Sequence, residues 1–224
     1  MTHSSAGLSG LIASLAMLMA GGCNIAATVE AIIRPDPVVE AKHEIRNVAT
    51  VVFIDDRRNQ INPVRLRRQI SDEITTVLME EGGMTDMISP RDAMAAARRL
   101  DTAGTPSGID EIGAAVGADQ VIYVEALQFR ITTDGLSPDP LALFNVRVLD
   151  VETGSRLFPE TEKFQAGTGH PIQVTVPRKD LGQFVGSGGM TKLRRYLAVE
   201  SGDSIARLFV TTRYTQGGEK MKRL

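Results

Sequence analysis

Few residues in this 224-residue chain are equipped for chemistry, and their spacing limits each of them. Cys23 is the single cysteine, which rules out an internal disulfide and any zinc site built from several thiolates. The three histidines, His3, His43 and His170, do not stand at ligand spacing to other ligands, so no metal site is expected. Asp55-Asp56 follows an apolar run, and clustered carboxylates in such a place can hold Mg²⁺ beside a phosphoacceptor. The rest of that machinery is missing: the later stretch VIYVEAL ends in hydrophobics where a further Asp would be needed. A turn role suits the pair better, since Asp accepts local backbone hydrogen bonds. Ser187, in GSGG, lacks the G-x-S-x-G frame of an acyl-transfer nucleophile, and Gly189 to Lys192 lacks the GK[ST] ending of a phosphate loop. No catalytic residue and no cofactor emerges from these patterns.

Cys23 has a more specific setting. It ends LSGLIASLAMLMAGGC, Leu8 to Cys23, whose core of about a dozen apolar or small residues suits an export signal and is short for a membrane-spanning helix. Ala20, Gly21 and Gly22 leave an extended backbone accessible to a peptidase, and a thiol at the first mature position can take a diacylglyceryl group. The stretch resembles the bacterial lipobox. That resemblance implies signal-peptidase recognition at Ala20, Gly21 and Gly22 and lipidation of Cys23. The competing reading is a buried amino-terminal helix with an inert cysteine in its core.

The elements that would carry any site follow from composition and periodicity. With 42% hydrophobic and 23% charged residues the chain reads as globular, and a net charge of −2 gives no pull toward nucleic acid. Aromatic residues make up 4%, without Trp, so stacking platforms for sugars or bases are not expected. Residues 1–22 read as signal peptide, 23–46 as a lipid-anchored tether containing the turn-like RPDP, and 214–224 as a flexible basic tail. Residues 47–213 then form one domain, with a Gly-rich loop or insertion at 166–189.

Within 47–213, VATVVFI (Val48 to Ile54) predicts a strand buried on both faces. Asn62 and Pro63 open a helix with Leu66, Ile70, Ile74, Val77 and Leu78 on one side, ended by Gly82 and Gly83. Met84 to Ile88 predicts a strand, Ser89-Pro90 starts a helix to about Leu100, and Ile109 to Val116 a short helix stopped by Gly117. Val121 to Ile131 and Leu143 to Asp150 predict strands, the second joined to one from Arg156 by a turn with Gly154 at a positive-φ position. Met190 to about Arg213 closes with a helical stripe that tolerates Gly202. The order strand-helix-strand-helix-helix-strand-strand-strand-helix is α/β: a single domain with a mixed β-sheet covered by helices.

Three phrases carry a further likeness. IGAAVGADQVIYVEAL (Ile112 to Leu127), VRVLDVETGSRLF (Val146 to Phe158) and GDSIARLF (Gly202 to Phe209) resemble the helix-GAD-strand segment, the strand-turn-strand meander and the closing helix of the TolB amino-terminal-like lipoproteins. That group includes CsgG and LpoB. The resemblance implies an envelope assembly or interaction domain without chemistry of its own.

The expectation is therefore a non-catalytic outer-membrane lipoprotein. It would face the periplasm and bind protein partners in envelope assembly, transport or cell-wall synthesis, with the membrane reached through lipidated Cys23. Asn24 in place of Asp favours the outer membrane by analogy with the sorting rule of enteric bacteria. Two alternatives remain open: a pore-forming secretion subunit of curli type, using 166–189 as a membrane hairpin, and an enzyme of unrecognised type.

Overall fold

An apolar run with no polar alternation has no face to give to water, and of the expected strand Val48 to Ile54 the part from Thr50, extended to Asp55, becomes the strand around which the sheet is built. A computed structural model describes residues 38–101, 105–160 and 169–213; the expected signal peptide, Ala20 to Cys23 and the tail 214–224 lie outside them. The elements in chain order are β1 (Val38–Val39), β2 (Thr50–Asp55), α1 (Arg65–Glu80), β3 (Met87–Ile88), α2 (Pro90–Leu100), α3 (Ile109–Val116), β4 (Gln120–Thr132) and β5 (Pro138–Asp150). They continue with β6 (Arg156–Phe158), β7 (His170–Thr175), a 3-10 helix (Arg178–Phe184), α4 (Gly189–Ala206) and β8 (Thr212–Arg213). The chain divides into two units. The described residues from Glu40 to Thr212 belong to the larger, which holds the fold described below; of the smaller, the described residues are Val38, Val39 and Arg213.

The sheet is mixed, in the order β3-β2-β4-β5-β6, and β7 also pairs with β5. β2 runs parallel to both β3 and β4, whereas β5 is antiparallel to β4, β6 and β7. Every residue of β2 is buried, as its sequence demands. Val52 and Ile54 of β2 and Ile122 and Val124 of β4 point toward α1 and α4, where Leu66, Ile70, Ile74, Leu193, Leu197 and Ile205 complete the larger core. Val51, Phe53, Val121 and Tyr123 point the other way, onto Ala93, Ala96 and Ala97 of α2 and Ile112 of α3. β4 records where that second cover stops: Gln120 to Val124 are all buried, and partly exposed positions begin at Glu125.

α1 starts at Arg65 with Val64 as its N-cap, later than Asn62-Pro63 suggested, because Leu66 and Arg67 donate to the Pro63 and Val64 carbonyls in a tight first turn. No side chain caps it. The missing cap is worth about 1 kcal/mol, whereas each of the buried Leu66, Ile70, Ile74, Val77 and Leu78 contributes about 1.5–3 kcal/mol, so packing decides the helix. The strand expected from Met84 shortens to Met87–Ile88, since the Thr85 amide bonds the Asn47 side chain and not a neighbouring strand. α4 ends at Ala206, well before Arg213, with the Leu208 carbonyl taken by the Lys42 and His43 amides at 2.7 and 3.1 Å.

Two segments read as connectors are structured in their described parts. Residues 41–46 of the expected tether lie on the domain: Gln120 Nε2 donates to the Arg46 carbonyl at 2.6 Å, and Ile45 packs against the larger core. Within 166–189, His170–Thr175 pairs with Val146 back to Leu141 of β5, which lengthens β5 beyond the expected start at Leu143. The expected turn at Gly154 is present, with φ of 65°, a left-handed value that Gly adopts without steric penalty. Among the described residues no helix is long and apolar enough to cross a membrane.

Candidate functional site

Where β2 ends, the chain leaves on one side to make α1, and the return from β3 to β4 passes α2 and α3 on the other. This change of side opens a crevice at the carboxyl end of β2, the place where open α/β sheets offer a ligand site. The crevice encloses about 280 Å³ and is lined by Phe53, Asp55 and Arg57, by Ala97 and Asp101 at the end of α2, by Thr105 to Ser107, and by Ile112 of α3.

Asp55 and Asp56 point in opposite directions, as neighbours on an extended chain must, and this separates their roles. Asp56 is turned inward and accepts the amides of Gln60 and Ile61 at 2.6 and 2.9 Å, with Arg67 Nε 3.8 Å away. It fixes the loop that leads to α1, the turn role expected for the pair. Asp55 faces the crevice: its Oδ2 accepts the Tyr123 hydroxyl at 2.5 Å and Arg57 Nε at 2.9 Å.

The register explains why these groups meet. Phe53 pairs with Tyr123 and Asp55 with Glu125, so Tyr123 reaches diagonally to the next outward-facing residue of β2. On the other side Tyr123 pairs with Arg147, whose guanidinium carbon lies 4.6 Å from the ring centroid, with Glu125 Oε2 4.0 Å from Nη2. A polar ladder of Arg147, Tyr123, Asp55 and Arg57 thus crosses three elements where the α2-α3 cover runs out. Burial first, and the hydrogen bond to Asp55 second, push the Tyr123 phenol well above its ordinary value, so the ring stays a neutral donor. Each main polar group of the ladder is committed to a neighbour. The arrangement holds shape and charge.

The other candidate residues fall elsewhere. His43 and His170 do come together, but across an aromatic ring: their ring centroids lie 5.2 and 5.4 Å from Phe158, which meets Phe209 edge-on at 5.7 Å. Lys42 Nζ is 3.2 Å from His170 Nε2. Burial lowers the pKa of both imidazoles, helped at His170 by the Lys42 charge and opposed at His43 by Glu160 and Glu44. No group of three or more His, Cys, Asp or Glu able to hold a metal occurs among the described residues. Ser187 is exposed in the turn before α4. Tyr123, Arg147, Asp101 and Ser107 were not singled out by sequence, where each stands in an ordinary strand or loop context.

No family model matches this sequence, and no curated protein sequence matches it. Several solved structures are similar to part of this chain. PelC from Paraburkholderia phytofirmans, solved as a dodecamer, is 12% identical over 78% of this chain and 96% of its own, with a TM-score of 0.41. Lipoprotein GNA1162 from Neisseria meningitidis is 10% identical over 65% of this chain and 90% of its own, with a TM-score of 0.38. The LpoB C-terminal domain from Salmonella enterica is 18% identical over 61% of this chain and 89% of its own, with a TM-score of 0.36. At these identities and TM-scores the likeness carries no argument about this chain, and function has to be argued from its own residues.

Proposed function

We propose that this chain is a lipid-anchored protein of the bacterial cell envelope, held at the outer membrane through Cys23 and facing the periplasm, whose α/β domain binds a protein partner and does no chemistry itself. The observation that carries the reading is LSGLIASLAMLMAGGC, in which an apolar core, three small residues and the chain's one cysteine stand in the order a lipoprotein signal requires. The crevice supports the non-catalytic part, because Asp55, Tyr123 and Arg57 are bound to one another. Seventeen residues separate Cys23 from Ala41, a span of at most about 65 Å when fully extended, so an anchored domain works close to the bilayer.

Substitution Cys23→Ala tests the anchor. The variant is expected in the soluble periplasmic fraction, while the native chain stays with outer membranes and takes up labelled fatty acid. A processed variant that remains membrane-bound overturns the anchor. Crosslinking in intact cells followed by mass spectrometry tests the partner: reproducible adducts of another envelope protein with the domain are expected, and adducts with no other protein overturn that half of the reading.

A further inference from the structure

Some arginines of this protein are held by carboxylates. Arg46, Arg57, Arg67, Arg130, Arg147 and Arg207 each have a carboxylate oxygen within 4.0 Å. A different arrangement lies between α1 and α2. Val64, Arg65 and Arg68 stand on the first turn of α1, and Arg91, Met94 and Arg98 recur at three- and four-residue spacing along one face of α2. Together they line a groove of about 350 Å³. All four guanidiniums are exposed and have no hydrogen-bond or ion-pair acceptor among the described residues, and no acidic residue lines the groove.

Fold stability does not account for this. α1 carries no acid in its first turn, and Arg65 and Arg68 sit at the positive end of its dipole, where carboxylates would be favoured. Four like charges around one groove also repel each other, in a chain whose net charge is only −2. Between them the floor is apolar: Val64 is 45% exposed and Met94 half-buried. Asp92 points away from the groove, lining a separate depression with Ala95 and Arg99, and Asp72, one turn past Arg68, ends the positive run.

We propose that this groove docks an acidic, extended segment of the partner protein, its carboxylates set on Arg65, Arg68, Arg91 and Arg98 and one aliphatic side chain laid on Val64 and Met94. The proposal rests on the partner-binding reading above and adds the chemistry of the contact. Guanidinium forks match carboxylates with paired hydrogen bonds, and the long Met side chain adapts to an aliphatic group. A bare phosphate or lipid headgroup would use the arginines and leave the apolar floor unfilled. A glycan would look for a stacking ring, and the lining has none.

The full chain in detergent is titrated against a fluorescein-labelled peptide EDELEDE by fluorescence anisotropy. Binding is expected to weaken steeply with salt. Arg68→Gln with Arg98→Gln should weaken it by about tenfold or more, because two charge-assisted contacts are lost. The peptide EDEGEDE should bind several-fold more weakly, and Arg99→Gln, which faces a separate depression beside α2, should leave binding unchanged. All these positions are exposed, so unfolding temperatures should match the native protein. Equal binding by the double variant, equal binding of the Gly peptide, or competition by glycerol 1-phosphate at the same concentrations overturns the proposal; the last outcome would mark a headgroup site instead. In intact cells, a photo-crosslinking residue at position 64 should give an adduct with the partner that the Arg68→Gln, Arg98→Gln pair abolishes, and one at Met79, exposed at the far end of α1, should not. Adducts formed only from other surface positions overturn the groove and leave the partner reading standing. Failure at every surface position tested overturns the partner reading itself.

Discussion

The Tyr123 hydroxyl donates to Asp55 Oδ2 at 2.5 Å, bridging two parallel strands at residues 68 positions apart in the chain. Tyr123→Phe keeps the ring over which Arg147 stacks and removes only the donor, so Asp55 is left with Arg57 as its side-chain partner. The variant should lose about 1–2 kcal/mol in urea unfolding, with an unchanged dependence on denaturant. The same bond sets an alkaline dependence. The folded phenol titrates above its ordinary value of 10, so the unfolded chain gives up its proton first and stability falls as the pH rises beyond about 10. In Tyr123→Phe that part of the alkaline fall should be absent.

His43 and His170 work in the opposite pH direction. Both have folded pKa values lowered from 6.5 by burial against the Phe158 cluster, so the unfolded chain binds protons more readily. Their contribution is complete above pH 6.5 and is lost as the pH falls through the lowered values. The negative charges of Glu160 and Glu44 soften the effect at His43, and Lys42 sharpens it at His170. Urea midpoints measured between pH 7.5 and 5 should decline more steeply for the native chain than for His43→Phe, which keeps the ring contact without the titration.

Gly202 marks the crossing of α4 with α1. A Cβ there would stand 2.6 Å from Glu73 Cβ and 2.8 Å from the Ile70 carbonyl oxygen, and the second of these is backbone that cannot step aside. Alanine gains about 1 kcal/mol of helix propensity, but forcing the helices apart costs about 1–3 kcal/mol, so Gly202→Ala should lower stability by up to about 2 kcal/mol in thermal or urea unfolding.

Arg207, at the end of α4, ties that end to α1. Its guanidinium bonds both oxygens of Glu81, Asp203 Oδ1 at 3.0 Å and the Thr212 hydroxyl at 2.6 Å. Burial works against the charge, yet the bonds to Glu81 and Asp203 outweigh it and hold the pKa above the ordinary arginine value. Arg207→Met should cost about 2–3 kcal/mol, since two partly buried carboxylates lose their cation. Arg207→Lys should recover only part of this, because an ammonium cannot span both Glu81 oxygens in a fork. Amide exchange at the carboxyl end of α1 should speed up in both variants.

Most elements were legible in the sequence, and the reason is that periodicity is local. The β-branched run of β2, the spacing of Leu66 to Leu78, the stop at Gly117 and the turn at Gly154 each report on neighbours a few residues away. β4 even encoded its change of surroundings, apolar through Val124 under two layers and alternating from Glu125 under one. The inward Asp56 was readable as a turn residue for the same reason.

What lies between elements was not legible. The sequence by itself determined the α/β order, the few reactive side chains and the expectation at Cys23. It did not determine that β2 and β4 are neighbours in a register that joins Tyr123 to Asp55, nor that Gly202, an apparent flaw in a helix, is where two helices touch. It also left His170–Thr175 as a connector until β5 supplied its partner, and it scattered over two helices the arginines that the fold gathers around one groove. Those relationships depend on which surfaces bury each other across tens of residues. Only tertiary structure decides that, because the free energy of such contacts belongs to the pair and to neither segment alone.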